Sequence, residues 1–109
     1  MTDESAAFGL STSDLRALQA VLASHRQVVR ADIYGSRAMG RFRPGSDIDL
    51  TLRGDLLTMT DLLAIDREID DLHLPYKVDL SLYSQIEDAA LRDHIDTAGR
   101  PVYEASQSR

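Results

Sequence analysis

The sequence predicts a small α/β domain, because short runs of alternating apolar and polar residues take turns with longer stretches whose apolar residues recur at helical spacing. Three runs read as strands: residues 28–34, 47–53 and 76–82, all rich in Val, Ile, Leu or Tyr. At 109 residues the chain has room for one hydrophobic core, so residues 1–109 read as a single domain.

The elements follow in order. Residues 1–10 carry no periodic pattern and are expected to be mobile. Ser11, Thr12 and Ser13 offer N-cap side chains ahead of Leu15, Leu18, Val21 and Leu22, which predicts a first helix over 14–25. The strand over 28–34 ends at Gly35-Ser36. Arg43-Pro44-Gly45-Ser46 then has strong turn chemistry and delivers the chain into the strand over 47–53.

Gly54-Asp55 breaks that strand, and Thr58 or Thr60 can cap a second helix with Leu62, Ile65, Ile69 and Leu72 on one face. Its other face, with Asp61, Asp66, Arg67, Glu68, Asp70 and Asp71, reads as solvated. Pro75 is expected to end it by forcing the preceding residue toward extended geometry. After the strand over 76–82, Ser84 and Glu87 have the spacing of a capping box, predicting a third helix to about Thr97 that stops at Gly99. A short extended segment over 100–103 and a frayed tail over 104–109 complete the chain.

Composition narrows the function. No cysteine is present, which excludes a disulfide framework, a thiolate zinc site and a thiol nucleophile. No stretch approaches the roughly 18 apolar residues of a membrane span, and the reading is a soluble cytoplasmic protein. The net charge of −6 argues against a surface that grips nucleic acid, since that affinity comes chiefly from Lys and Arg. The positive residues are uneven, however, with Arg37, Arg41 and Arg43 inside one loop. A local triphosphate clamp fits them better than a duplex-binding face.

The chemistry gathers between Gly35 and Leu50. Gly35-Ser36 follows a strand, where glycine lets a ligand approach the backbone and a helix starting near Arg37 would turn free N–H groups toward an anion. Ten residues later comes Asp47-x-Asp49. Strand periodicity puts both carboxylates on one face, roughly 7 Å apart at about 3.3 Å per residue. That spacing suits Mg²⁺, which takes oxygen ligands from one or two carboxylates and fills its shell with water and phosphate oxygens. Asp79 shares a strand face with Lys77 and Ser81 and reaches the same centre if its strand lies alongside. Ser46 is placed to orient the carboxylates, and Arg37 to touch phosphate or a partner.

The bland readings differ in weight. Any one of 18 acidic residues is by default solvated surface, but that reading leaves the Gly-Ser and its spacing unexplained. His25, His73 and His94 have no metal-ligand spacing and read as helix-end or partly buried histidines. Tyr34 and Tyr76 could stack on a base, although strand tyrosines are more often core.

Gly35, Ser36, Asp47, Asp49 and the later Asp79 closely resemble the signature of the DNA polymerase beta nucleotidyltransferase superfamily, and within it the minimal nucleotidyltransferases of prokaryotes. The resemblance runs from Ser13 to Tyr103. It implies a small mixed β-sheet with helices packed on one face and a Mg²⁺-dependent transfer, with two ions, of a nucleotidyl group from ATP. Asp47, Asp49 and Asp79 would be the catalytic and metal-holding residues, with Asp79 completing the second metal site or accepting a proton. Gly35 and Ser36 would hold the β- and γ-phosphates.

The resemblance also implies a partner, a small helical HEPN protein with RNase toxin activity. The chain would be its antitoxin and would add AMP to one of its tyrosine hydroxyls. Two alternatives share the same features: a small-molecule nucleotidyltransferase working with a helical substrate-binding subunit, and a non-catalytic antitoxin that masks its partner. A polymerase or repair role is more distant, since the positive surface is missing.

Overall fold

The computed structural model describes residues 8–43 and 45–105. The chain order is α1 (Thr12–Ala23), β1 (Arg30–Tyr34), β2 (Ile48–Arg53), α2 (Met59–Asp70), β3 (Val78–Leu82), a 3-10 turn (Tyr83–Gln85), α3 (Ala89–Ala98) and β4 (Arg100–Glu104). The four strands form one mixed sheet in the order β3-β2-β1-β4. β1 is antiparallel to both β2 and β4, whereas β2 and β3 are parallel. Helix α2 makes the crossover that a parallel pair requires.

Alternation along the strands divides the sheet into two unlike faces. Ala31, Ile33, Ile48, Leu50, Leu52 and Leu82 point into one core with Leu18 and Leu22 of α1 and Ile65 and Ile69 of α2. Each of these Leu and Ile side chains stabilises the fold by about 1.5–3 kcal/mol when fully buried. The opposite face carries Asp32, Tyr34, Asp49, Thr51, Arg53, Asp79 and Ser81. It is this polar face that α3 crosses, through Asp96 on Arg53 and His94 on Gly35. Helices α1 and α2 thus share one face, but α3 takes the other, so the helices do not all pack on one face as the resemblance implied.

Local chemistry explains most boundaries. Ser11 caps α1 by accepting the Asp14 N–H at 3.1 Å. Thr58, rather than Thr60, caps α2 in a reciprocal box with Asp61. That helix ends at Asp70, ahead of Pro75, with His73 in a left-handed conformation (φ 54°) where the chain reverses. The proline is therefore not the stop signal.

The Ser84–Glu87 capping box does not form. Ser84 lies in the 3-10 turn, whose carbonyls at Tyr83 and Ile86 accept from the Arg92 guanidinium. Asp88 caps α3 instead, accepting from Ala90 and Leu91, and adds a negative charge at the positive end of the helix.

The termini also depart from expectation where they are described. Leu10 is 1% exposed within the core, and Phe8 packs against it. Residues 100–104 form β4, with a bulge beside Asp32 that accommodates Pro101, and the Ala105 N–H donates to Val29. The rest of both expected mobile ends, residues 1–7 and 106–109, and Pro44 of the expected turn lie outside the described residues.

Candidate active site

Register brings the predicted acids together. Asp49 pairs with Tyr34 on one side and with Asp79 on the other, so the three stand in one row across β1, β2 and β3. Neighbouring strands are about 4.8 Å apart, which puts two carboxylates side by side on the polar face. Asp47 precedes β2 and is exposed. Burial first, then the negative charges of Asp79 and Asp47, push the Asp49 carboxyl above its ordinary range.

Gly35 closes this end of β1. Its φ of +76° favours glycine, and a Cβ there would come within 2.7 Å of an Asp49 carboxylate oxygen. The glycine is thus the bed on which Asp49 rests.

The following residues make a tight turn rather than the expected helix. Met39 N–H donates to Gly35, Gly40 N–H to Arg37 and Arg41 N–H to Ser36. Among the described residues the N–H groups of Ser36, Arg37 and Ala38 find no acceptor. Unpaired within the described residues, they are candidate donors to an anion, whereas the Gly35 N–H is already donated to His94 Nε2 at 3.1 Å.

Arg37 does not face that anion position. It is only 3% exposed, and its guanidinium donates twice to the Ser46 carbonyl, at 3.0 and 2.8 Å, and once to the Phe8 carbonyl at 2.8 Å. Phe42 and Tyr76 flank it, with ring centroids at 5.1 and 4.8 Å. The arginine expected to touch phosphate or a partner ties the two ends of the signature loop together.

Ser46 likewise serves the loop. Its hydroxyl accepts the Arg43 N–H at 2.8 Å, and its own N–H donates to Arg43, closing the turn before Asp47. Arg41 and Arg43 remain exposed on the loop.

No group of three His, Cys, Asp or Glu side chains converges at metal-holding distance among the described residues. Asp47 and Asp79 are exposed and Asp49 is half-buried, so the site opens to solvent. Two adjacent carboxylates, with like-charge repulsion expressed at Asp49, are nonetheless the donor set that Mg²⁺ uses when phosphate oxygens supply other ligands. The residues fit that ion. A cavity of about 440 Å³ between α2 and β3, lined by residues including Asp66, Asp70, His73 and Lys77, does not include Asp47, Asp49 or Asp79.

The family model of polymerase beta nucleotidyltransferases matches residues 16–108 of the chain. The chain belongs to that family. It is a nucleotidyltransferase, built on an open sheet face with paired carboxylates at one end.

Solved structures repeat the fold. A toxin-antitoxin with AMP-PNP aligns at TM-score 0.67 and 18% identity, over 85% of this chain and 74% of that one. The toxin-antitoxin MntA-HepT aligns at 0.64 and 15%, over 89% and 74%. A mutant described as MntA-HpeT, with two aspartates two positions apart changed to glutamate, aligns at 0.65 and 15%, over 85% and 74%. At these identities the likeness concerns the fold. No curated protein matches the nucleotidyltransferase by sequence.

Two residues of the site were not legible beforehand. His94 reaches Gly35 from α3, and Tyr34 stands beside Asp49 rather than in the core. Tyr34 also meets the His94 ring edge-on, with centroids 6.2 Å apart. Burial first, and then the charges of Asp49 and Asp79, raise the Tyr34 hydroxyl above its ordinary value, against a lowering contact with Ser81. The only advance signal was position: Tyr34 directly precedes Gly35. His94 offered none, because its partner lies across the fold.

Proposed function

We propose that this nucleotidyltransferase moves AMP from ATP, with Mg²⁺, onto a tyrosine hydroxyl of a small helical HEPN toxin and is thereby its antitoxin. The observation that carries the reading is the pairing of Asp49 with Asp79 across parallel strands, directly beside a turn with available N–H groups. The shared fold with toxin-antitoxin structures, one of them containing AMP-PNP, supports both donor and partner.

In this reading Asp49 and Asp79, with Asp47 at the rim, hold the Mg²⁺ of the bound triphosphate. When bound, the ion neutralises charge on the phosphates and on the leaving pyrophosphate. The Ser36 hydroxyl and the N–H groups of the turn grip the β- and γ-phosphates. Fixing the α-phosphorus over the carboxylate row lets the phenolic oxygen approach opposite the pyrophosphate. One P–O bond forms to tyrosine as the bond to pyrophosphate breaks. The phenolic proton passes to Asp79 or, where Asp79 serves as an ion ligand, to water. The open site suits an acceptor presented on another protein's surface.

The test is incubation of the purified chain with α-labelled ATP and Mg²⁺, with and without any small helical protein encoded beside it, followed by intact mass of both. Added AMP on the partner, absent with Asp49→Asn, is the expected result. Label on small molecules alone would point to a helical substrate-binding subunit. Toxin neutralisation that survives Asp49→Asn in a folded complex would point to masking.

A further inference from the structure

We propose that His94 is a positioning residue for nucleotidyl transfer: its Nε2 fixes the Gly35 peptide, and with it the Asp49 carboxylate and the donor side of the Ser36 turn. For what the turn binds, the inference rests on the function proposed above. The hydrogen bond itself does not depend on that reading.

Gly35 is the point where two demands meet. Its left-handed backbone starts the turn, and its missing side chain leaves room for the Asp49 oxygen. A shift of this peptide would move the Asp49 carboxylate and reorient the N–H groups of Ser36, Arg37 and Ala38 together. The Gly35 N–H is the donor that does not point to the anion position, and His94 takes it at 3.1 Å. Accepting it requires the imidazole proton to sit on Nδ1.

The histidine is itself held firmly. Its ring packs edge-on against Tyr34, the partner of Asp49 in the sheet. The next residue, Ile95, is 2% exposed beneath α3. Asp96 then accepts from the Tyr83 hydroxyl at 2.7 Å and from Arg53 at 3.4 Å, fastening that helix to β2. So α3, which carries none of the signature acids, sets the geometry of the signature turn. A histidine filling space beside Tyr34 would need none of this, because any ring of its size would serve.

Two substitutions separate the hydrogen bond from the packing. His94→Phe keeps a ring against Tyr34 and loses the acceptor; His94→Gln loses the ring and places an amide oxygen at about the same reach. The readouts are Tm, exchange of the Gly35 amide by NMR, and KM and kcat against ATP in Mg²⁺.

His94→Phe is expected to melt near wild type, to lose Gly35 amide protection, and to raise KM for ATP about tenfold, in line with losing one hydrogen bond that orders a charged-ligand site. His94→Gln is expected to recover both within about threefold. The proposal is overturned if His94→Phe matches wild type in Gly35 protection and KM, or if His94→Gln is as impaired as His94→Phe. If wild type neither binds nor transfers from ATP, the proposed function fails by itself, and Gly35 exchange in the two variants decides the role of His94.

Discussion

The two ends of the polar sheet face carry aspartates of opposite character. At one end Asp32, 1% exposed, accepts from Arg30 Nε at 2.6 Å and from Arg53 Nε at 3.1 Å. Burial works against the charge of Arg53, but Asp32 and then Asp96 outweigh it and leave the guanidinium above its ordinary value. At the other end Asp49 stands beside Asp79 and near Asp47, with no arginine or lysine paired to any of them among the described residues. A buried carboxylate that the fold neutralises is part of the scaffold. Carboxylates left to repel each other keep their charge for something the chain does not supply.

The contrast is broken most sharply by Asp49→Asn. Transfer should fall about a thousandfold or more, because a ligand to the ion and a neutraliser of phosphate charge is removed. The metal-free protein should nonetheless melt no lower than wild type, since one of three mutually repelling charges is gone. A large loss of Tm would show that Asp49, like Asp32, is a structural acid.

The reverse pattern is expected at the other end. Asp32→Asn leaves two arginines facing a poor acceptor and should cost about 2–4 kcal/mol, below the largest losses for broken buried pairs because both guanidiniums keep some water. Transfer per folded molecule should stay near wild type. Urea unfolding beside a rate assay checks both halves, and lost activity with intact stability would defeat the scaffold assignment.

How legible this division was depends on range. The three strands, the Gly-Ser, the Asp-x-Asp and the same-face Asp79 could be read from the sequence, since each rests on spacing within a few residues. The pairing of Asp49 with Asp79 needed the crossover through α2, which family likeness implied and periodicity alone did not. Arg37 misled because proximity to Ser36 says nothing of direction: the guanidinium turns back under the loop to Ser46 and Phe8. His94 and the Asp32–Arg53 ion pair join residues far apart in the chain, and Ser84 lost its capping role to Asp88, whose carboxylate reaches two N–H groups.

A smaller effect sharpens the active end. Gly35→Ala puts a Cβ against the Asp49 carboxylate and a side chain at φ +76°. The backbone strain is worth about 1–2 kcal/mol, and the displaced carboxylate should lower transfer about ten- to a hundredfold. Gly40, also at positive φ but with nothing within 4 Å of its Cβ position, controls for strain alone. Gly40→Ala should lose similar stability while keeping most of its activity. Equal activity losses in both variants would mean that strain, not the contact with Asp49, is responsible.

The smallest effect is a dependence on pH that Mg²⁺ should remove. Because the Asp49 carboxyl is raised above the ordinary 3.8, the folded chain holds its proton more tightly than the unfolded chain does. The stability from that proton is full at low pH and is lost as pH rises through the raised value. Asp96 runs the other way, its carboxyl lowered first by the Tyr83 hydroxyl, so it supports the fold above the ordinary carboxylate range and ceases to as pH falls. The measurement is therefore a difference: the Tm of wild type minus that of Asp49→Asn, from about pH 4 to about pH 7, with and without Mg²⁺. Without Mg²⁺ the difference should become more negative as pH rises. With Mg²⁺ the ion replaces the proton between the carboxylates, and the slope should flatten. A difference that ignores both pH and Mg²⁺ would mean that Asp49 ionises as easily in the fold as outside it, and the distinction between the two ends of the sheet would lose its electrostatic basis.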